Sequence, residues 1–165
     1  SWSSGFFNAA TTTAFRATMS APLTVANTTL ETVTFNTDGT DPTSFDLGTN
    51  FDTTTHKYTI PTTGYYYFAS STRWAGSPSG AHSVDDDLFL KRRVSTTETT
   101  LSSTTAWLQE TAGGAAYIQA YPTYQVEGIF HLDKDDTVHV AVYTEGGAFS
   151  VSGGTQAYFQ GFQIA

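Results

Sequence analysis

The sequence predicts an all-β domain, a sandwich or jelly roll, on the basis of three observations. Short stretches that alternate apolar and polar residues are separated by Gly, Pro, Asn and Asp, which predicts about eight to ten strands joined by turns. Thr occurs in runs along the chain, and its branched Cβ favours extended backbone. No segment has a sustained helical period with capping residues. The 165 residues are enough for one domain with a substantial core.

Residues 57–74, KYTIPTTGYYYFASSTRW, are the stretch around which we expect the other elements to pack. Its first half predicts a short strand that ends at Pro61, because proline lacks the N–H that a sheet ladder uses. Residues 62–64 supply a turn, and a longer strand follows from Tyr65. We therefore expect a central hairpin here.

The longer strand of this stretch has aromatic residues on both faces. Successive side chains of a strand point to opposite sides, so Tyr66 and Phe68 share one face, and Tyr65 and Tyr67 share the other. A strand with one solvated face would alternate apolar with polar residues. We therefore expect one face in the chain's own core and the other against a second body, most simply another copy of the chain. A strand deep inside a monomeric sandwich is the alternative.

The segments before this stretch predict an arm, two strands and a loop. Residues 1–13 are rich in Gly, Ser and Thr with embedded aromatic residues, and we expect an arm that docks on a neighbour or continues a fibre; a disordered terminus is the alternative. Residues 14–20 predict the first strand, which Pro22 ends, and residues 31–35 predict the next. Residues 36–50 carry the Asn, Asp, Gly and Pro of a long loop.

The remaining elements follow from the same alternation of strand and turn signals. Phe51 and Asp52 predict a brief pairing before the hairpin. After the hairpin the pattern predicts a loop at 75–87, a strand at 88–94 and a Ser- and Thr-rich hairpin from 95 with a further strand toward Leu108. A turn at 110–116 follows, and then strands at 124–132 and 137–143 on either side of a turn at 133–136. A Gly-rich loop at 145–155 leads to a last strand at 158–164.

Four of these pieces together resemble the globular head domain of complement C1q and, through it, the tumour necrosis factor superfamily. They are AFRATMS, NFDTTTHKYTIPTTGYYYF, HLDKDDTVHVAVY and YFQGFQI, in the family's order. The second is similar to the family's signature, with Gly64, Tyr66 and Phe68 at its spacing. The resemblance covers residues 14–165, with one departure at Asp135, where the family has a turn glycine.

The resemblance implies a ten-stranded jelly roll that assembles as a compact homotrimer, with the aromatic outer face of the central sheet around a threefold axis. It implies a trimer-facing role for four residues, Tyr65, Tyr67, His139 and Tyr143. The positions that it assigns to the fold signature and core are Phe15, Phe35, Gly64, Tyr66, Phe68, Val138, Val140, Phe159 and Gly161.

Composition narrows the class of partner and of compartment. Seven basic residues against fifteen acidic ones give a net charge of -8, which would repel nucleic acid. No cysteine is present, which excludes a disulfide scaffold and favours a protein that folds in a reducing cytoplasm, such as a viral or bacterial one. No apolar run approaches membrane-spanning length, so we expect no membrane insertion.

Catalytic patterns are missing from the sequence, and the metal pattern is weak. The four histidines are scattered, no nucleophile elbow occurs, and we expect neither an enzyme nor a cofactor. Two acidic clusters are candidates for Ca²⁺, although charged solvated loops explain them as well. Their residues are Asp85, Asp86, Asp87, Asp133, Asp135 and Asp136.

Two non-enzymatic functions compete. The first is a trimeric viral (phage) or bacterial fibre head, on a virion or cell surface, that binds a receptor or glycan. Trp107 and Tyr121 are its candidates for stacking on a sugar. The second is a structural capsid decoration protein that clips to a lattice through residues 1–13. A soluble animal signalling ligand is a third hypothesis, which the absence of cysteine disfavours.

Overall fold

The computed structural model describes residues 13–39, 43–75, 83–109, 123–145 and 149–164, which form two antiparallel sheets and contain no helix. The all-β prediction is therefore confirmed. Thirteen strands occur in these residues, more than the ten expected, because several have only two or three residues. They are β1 (Ala14–Met19), β2 (Leu23–Val25), β3 (Leu30–Thr32), β4 (Phe45–Leu47), β5 (Phe51–Asp52), β6 (Lys57–Thr59), β7 (Gly64–Ala75), β8 (Ser83–Val94), β9 (Thr97–Gln109), β10 (Thr123–Leu132), β11 (Thr137–Glu145), β12 (Phe149–Val151) and β13 (Gly154–Gln163).

The long strand β7 lies at the centre of the seven-stranded sheet. It pairs with β10 along one edge and with β13 along the other, while β12 pairs with its last two residues. Beyond β13 the sheet continues through β1 to β4. The six-stranded sheet has the order β5-β6-β11-β8-β9, and β3 also pairs with β11. All of these pairings are antiparallel.

Aromatic rings fill the space between the two sheets. The ring of Phe15 on β1 lies 4.5 Å from that of Tyr58 and 4.8 Å from that of Phe159, centroid to centroid. Such contacts add specific ring geometry to the large apolar area that aromatic side chains bury. Seven of the signature positions are at most 1% exposed, namely Phe15, Phe35, Tyr66, Phe68, Val138, Val140 and Phe159.

Two backbone positions explain why the signature has its particular residues. A Cβ on Gly161 would lie 2.9 Å from the carbonyl oxygen of Tyr67 and would overlap the ring of Phe68, so β13 can approach β7 only without a side chain there. Asp135 has a φ of 71°, the left-handed conformation that usually takes glycine. This is the position at which the sequence departs from the turn glycine of the family that it resembles.

Several sequence predictions about local structure are wrong. The predicted loops at 36–50 and 145–155 contain the short strands β4 and β12. Residues 57–74 do not form a hairpin: β6 belongs to the six-stranded sheet and β7 to the other, so the chain crosses between sheets at Pro61. The backbone of Ile60 instead bonds to the 133–136 turn, donating to Asp136 and accepting from Asp135 at 2.8 and 2.9 Å. The predicted loop at 75–87 contains the start of β8, and the Thr-rich region from 97 is one strand, β9, paired with β8 throughout.

Candidate functional site

The side of the seven-stranded sheet that points away from the core carries an apolar surface, which we call the outer face. Cross-strand pairs place residues on the same side of a sheet, so the register defines which side chains are neighbours. One row crosses five strands through the pairs Ile129–Tyr67, Tyr67–Phe162, Phe162–Ala14 and Ala14–Leu47. This apolar row therefore spans the sheet from β10 to β4.

A second apolar row lies beside the first, toward the beginning of β7. Tyr65 pairs with His131 on β10, and Ile164 donates its backbone N–H to the Tyr65 carbonyl at 2.8 Å. The Tyr65 and His131 rings meet edge-on at 5.1 Å. Five of the seven exposed large hydrophobic side chains in the described part of the chain belong to these two rows. They are Leu47 (54%), Tyr65 (53%), Ile129 (63%), Phe162 (45%) and Ile164 (48%).

The aromatic side chains of the outer face are held in place by their neighbours. The ring of Tyr67 packs against that of Phe162 at 5.3 Å. Its hydroxyl donates to a carboxylate oxygen of Glu127 at 2.6 Å, and this hydrogen bond raises the pKa of Tyr67 to about 12. The phenol is therefore a fixed donor at neutral pH, and the surface is partly organised before any partner arrives.

The next rows of the outer face are polar and contain two arginines. The register runs from Glu127 through Ala69 and Gln160 to Arg16. Arg16 donates to the side-chain oxygen of Gln160 at 2.7 Å, and its guanidinium lies 4.2 Å from the centre of the Tyr158 ring. Arg73 donates to Gln156 at 2.5 Å. The outer face is thus divided into an apolar half and a polar half.

His139 and Tyr143 do not lie on the outer face. Both belong to β11, which is in the six-stranded sheet, so the expectation that they share one surface with Tyr65 and Tyr67 is wrong. The reason is that side-chain alternation assigns a residue to one side of its strand but does not identify the sheet that the strand joins. Tyr143 is half-buried and pairs with Leu30 of β3.

His139 is buried within the chain itself. It is 2% exposed, and burial lowers its pKa to about 4. Glu98 lies 3.7 Å from its Nε2 and opposes the shift, whereas three cations add to it. These cations are Lys57, Lys91 and Arg93. At neutral pH the imidazole is therefore an uncharged part of the packing.

The acidic clusters proposed for Ca²⁺ lie in two different settings. Asp86 and Asp87 are in the strand β8, where Asp86 is fully buried and Asp87 accepts a hydrogen bond from Thr105. Asp85 is on the same strand and pairs by its backbone with Trp107. These residues are thus not in the loop that the sequence predicted.

The second acidic cluster is neutralised by an arginine. Arg92 bridges Asp133 at 3.0 Å and Asp136 at 2.5 Å, and Asp136 also accepts the backbone N–H of Asp133. Asp135 is exposed on the same turn. In the ranges that the structure describes, no three His, Asp or Glu side chains are close enough to hold a metal ion. A calcium site here stays an untested proposal.

The proposed sugar-stacking residues and the arm lie largely outside the described part of the chain. Trp107 is in β9, and Tyr121 and residues 1–12 lie outside the described residues. Sequence reasoning also missed most of the outer face, because Ile129 is the one apolar residue on an otherwise polar side of its strand, and Phe162 shares its side with apolar residues and glutamines alike. These apolar residues on partly polar sides of strands were the sequence signal that could have identified the outer face.

Comparison with known proteins gives structural matches alone. No protein-family model matches the chain, and no curated protein matches its sequence.

No helix in the described ranges is long and apolar enough to cross a membrane.

Three solved structures represent the structural matches. Murine APRIL at pH 8.5 is 12% identical with a TM-score of 0.64, over 93% of this chain and 99% of that chain. Eiger TNF from S. frugiperda is 11% identical with a TM-score of 0.61, over 93% and 92%. The globular domain of zebrafish complement 1qA protein is 18% identical with a TM-score of 0.59, over 93% and 98%. The chain therefore has the C1q/TNF-like jelly-roll fold.

Proposed function

We propose that this chain is a non-enzymatic binding domain that works as a homotrimer, with the outer face packed around the threefold axis. The observation that carries the proposal is the pair of apolar rows through Tyr65 and Tyr67. Single chains rarely leave a contiguous apolar surface of this kind in water. A second copy is the occupant that we favour, because the C1q/TNF resemblance implies a trimer built on this face.

The residue types on the outer face suit a permanent interface. Tyr and Phe are typical of the buried centre of a subunit contact, and the polar rows beside them can supply hydrogen bonds and charge pairs across it. A ring of three copies uses a head-to-tail contact that closes, so no apolar row remains exposed. Tyr65 and Tyr67 are the two sequence-predicted interface residues on which this proposal rests.

The binding role follows from assembly. Three copies present every loop three times, and simultaneous engagement of weak single sites gives avidity. We propose a receptor or a glycan as the ligand, bound outside the cell. The more specific hypothesis is the head of a viral (phage) or bacterial fibre, for which the absence of cysteine is the supporting observation. Structural decoration of a capsid through residues 1–13 is the alternative.

Light scattering on the purified chain tests the trimer. We expect a mass about three times 17.8 kDa, unchanged by EDTA. Ile129→Arg places a charge on the apolar row and is expected to reduce the mass to that of one chain. Val94→Arg is the matched control, because Val94 is 46% exposed on the six-stranded sheet and is expected to leave the mass unchanged.

Three results of that measurement would count against the proposal. A wild-type mass of one or two chains would exclude the trimer. An equal loss of mass in both arginine variants would assign the contact to some surface other than the outer face. A mass that falls in EDTA would show that a divalent cation, absent from the proposal, holds the subunits together.

A further inference from the structure

The polar half of the outer face carries a negative charge at one edge of the sheet and a positive charge one strand in from the other. Glu127 is on β10, at one edge of the sheet, and Arg16 is on β1, toward the other. The register places both in one row, separated by β7 and β13. With neighbouring strands about 4.8 Å apart, three strand spacings separate them by about 14 Å. That distance is too long for an ion pair within the chain.

Both charged groups are held in position by uncharged partners. Glu127 accepts the Tyr67 hydroxyl at 2.6 Å, and Arg16 is held between Gln160 and the Tyr158 ring. Neither residue takes part in a salt bridge among the residues that the structure describes. Each charge is therefore oriented on the surface without being neutralised.

A ring of three brings these two edges together. In a head-to-tail contact, one edge of a surface meets the opposite edge of its neighbour, whereas a twofold contact places the same patch against itself. Charges that are desolvated at an interface must be paired, or binding is weakened. Resting on the trimer proposed above, we infer that Glu127 of each subunit pairs with Arg16 of the partner subunit and sets the direction and register of the ring.

Charge reversal tests this pair. Glu127→Arg and Arg16→Glu, made separately, are each expected to weaken the trimer about a hundredfold, because like charges then meet at every contact. Both reversals in one chain restore opposite charges, and the dissociation constant should return to within about tenfold of wild type. Lys134→Glu is the matched control: it changes the net charge as Arg16→Glu does, but on an exposed turn, and should leave assembly unchanged.

Mixing the two single variants separates a ring from a twofold dimer. In a ring of three, at least one contact must join two chains of the same variant, so an equimolar mixture recovers part of the trimer. In a twofold dimer every contact would pair opposite charges, and recovery would be complete. Partial recovery at a three-chain mass is the expected result.

The outcomes distinguish this inference from the trimer proposal. If both single reversals keep wild-type assembly, the pair is wrong and the trimer stands. If the double reversal fails to restore assembly, although its circular dichroism and melting match wild type, the pair is also wrong. A wild-type mass other than three chains would instead overturn the proposed function. Glu127→Gln, which is uncharged, gives a milder variant in case Glu127→Arg does not fold, and should weaken assembly by about tenfold.

Discussion

The outward-pointing residues of the two sheets differ in how far their own chain covers them. On the six-stranded sheet the chain covers its own surface: His139 and Ala141 are 2% and 1% exposed although they point away from the core. The register places Lys91 opposite His139 and Phe89 opposite Ala141, and the Lys91 ammonium lies 5.2 Å from the Phe89 ring. On the seven-stranded sheet the apolar rows stay exposed.

The difference comes from the size and type of the facing residues. Ala141 is small, so a long neighbouring side chain can lie over it and keep its charged end in water. In the apolar row of the outer face, Ile129, Tyr67 and Phe162 are all large and lie side by side, and Ile129 and Phe162 stay 63% and 45% exposed. On the proposal made above, a surface of the second kind is covered by another subunit, and one of the first kind is covered by its own chain.

Removing one phenylalanine from each outward side gives the largest expected contrast. Phe162→Ala should weaken the trimer by about 2–4 kcal/mol per contact, because the row loses its central aromatic anchor. Phe89→Ala should leave the trimer intact and lower the free energy of unfolding by about 1–2 kcal/mol, because Phe89 lies opposite Ala141 on the six-stranded sheet, away from the outer face. Sedimentation measures the first effect and denaturant titration of a dilute sample the second.

The contrast fails if Phe89→Ala dissociates the trimer as strongly as Phe162→Ala does. In that case the six-stranded sheet would be the interface. It also fails if Phe162→Ala unfolds the single chain, because Phe162 would then belong to the core despite its 45% exposure.

Much of the fold was predictable because side-chain alternation reports burial directly. The pattern of Tyr65 to Phe68 predicted one side in the chain's own core and the other against a second body. The structure has Tyr66 and Phe68 fully buried and Tyr65 half exposed, which confirms the first part. Alternation contains no information about strand partners, however. For that reason β6 and β7 were joined into a hairpin, and His139 was assigned to the same surface as Tyr65.

The candidate site was harder to predict because it exists only through pairings between residues far apart in sequence. The apolar row depends on β10, β13 and β4 being aligned with β7 and β1, and none of these registers is encoded by a local motif. The prediction of a loop at Asp85 to Asp87 was wrong for a related reason. Consecutive acidic residues are typical of loops, but here the hydroxyl-rich strand β9 lies beside them and Thr105 donates to Asp87.

The buried histidine of the six-stranded sheet predicts a pH effect of intermediate size. His139 has a pKa of about 4 in the folded chain against an ordinary value of 6.5, so the unfolded state binds more protons between these two pH values. Stability should therefore fall as the pH drops from about 6.5 to about 4, by about 3 kcal/mol from this residue, because each unit of the pKa difference is worth about 1.36 kcal/mol. His139→Gln should remove that part of the slope in unfolding experiments across the range.

The charged groups around His139 make a control necessary. Carboxyl groups in general ionise near the lower end of the same pH range, so the informative quantity is the difference in slope between wild type and variant. His131→Gln is the matched control, because His131 is exposed on the other sheet. A wild-type slope that survives in His139→Gln would show that the imidazole is not the group responsible.

The smallest expected effect concerns one hydroxyl of the outer face. Tyr67→Phe keeps the ring that packs on Phe162 and removes only the hydrogen bond to Glu127. If that bond aims the carboxylate at Arg16 of the partner subunit, its loss should weaken each contact of the trimer by about 1 kcal/mol. Tyr65→Phe is the matched control, since it removes a hydroxyl from the neighbouring row but not the one bonded to Glu127. Equal dissociation constants for Tyr67→Phe and wild type would contradict this positioning role of Tyr67. If the charge reversal at Glu127 still weakened assembly, the partner subunit, and not Tyr67, would hold the carboxylate in place.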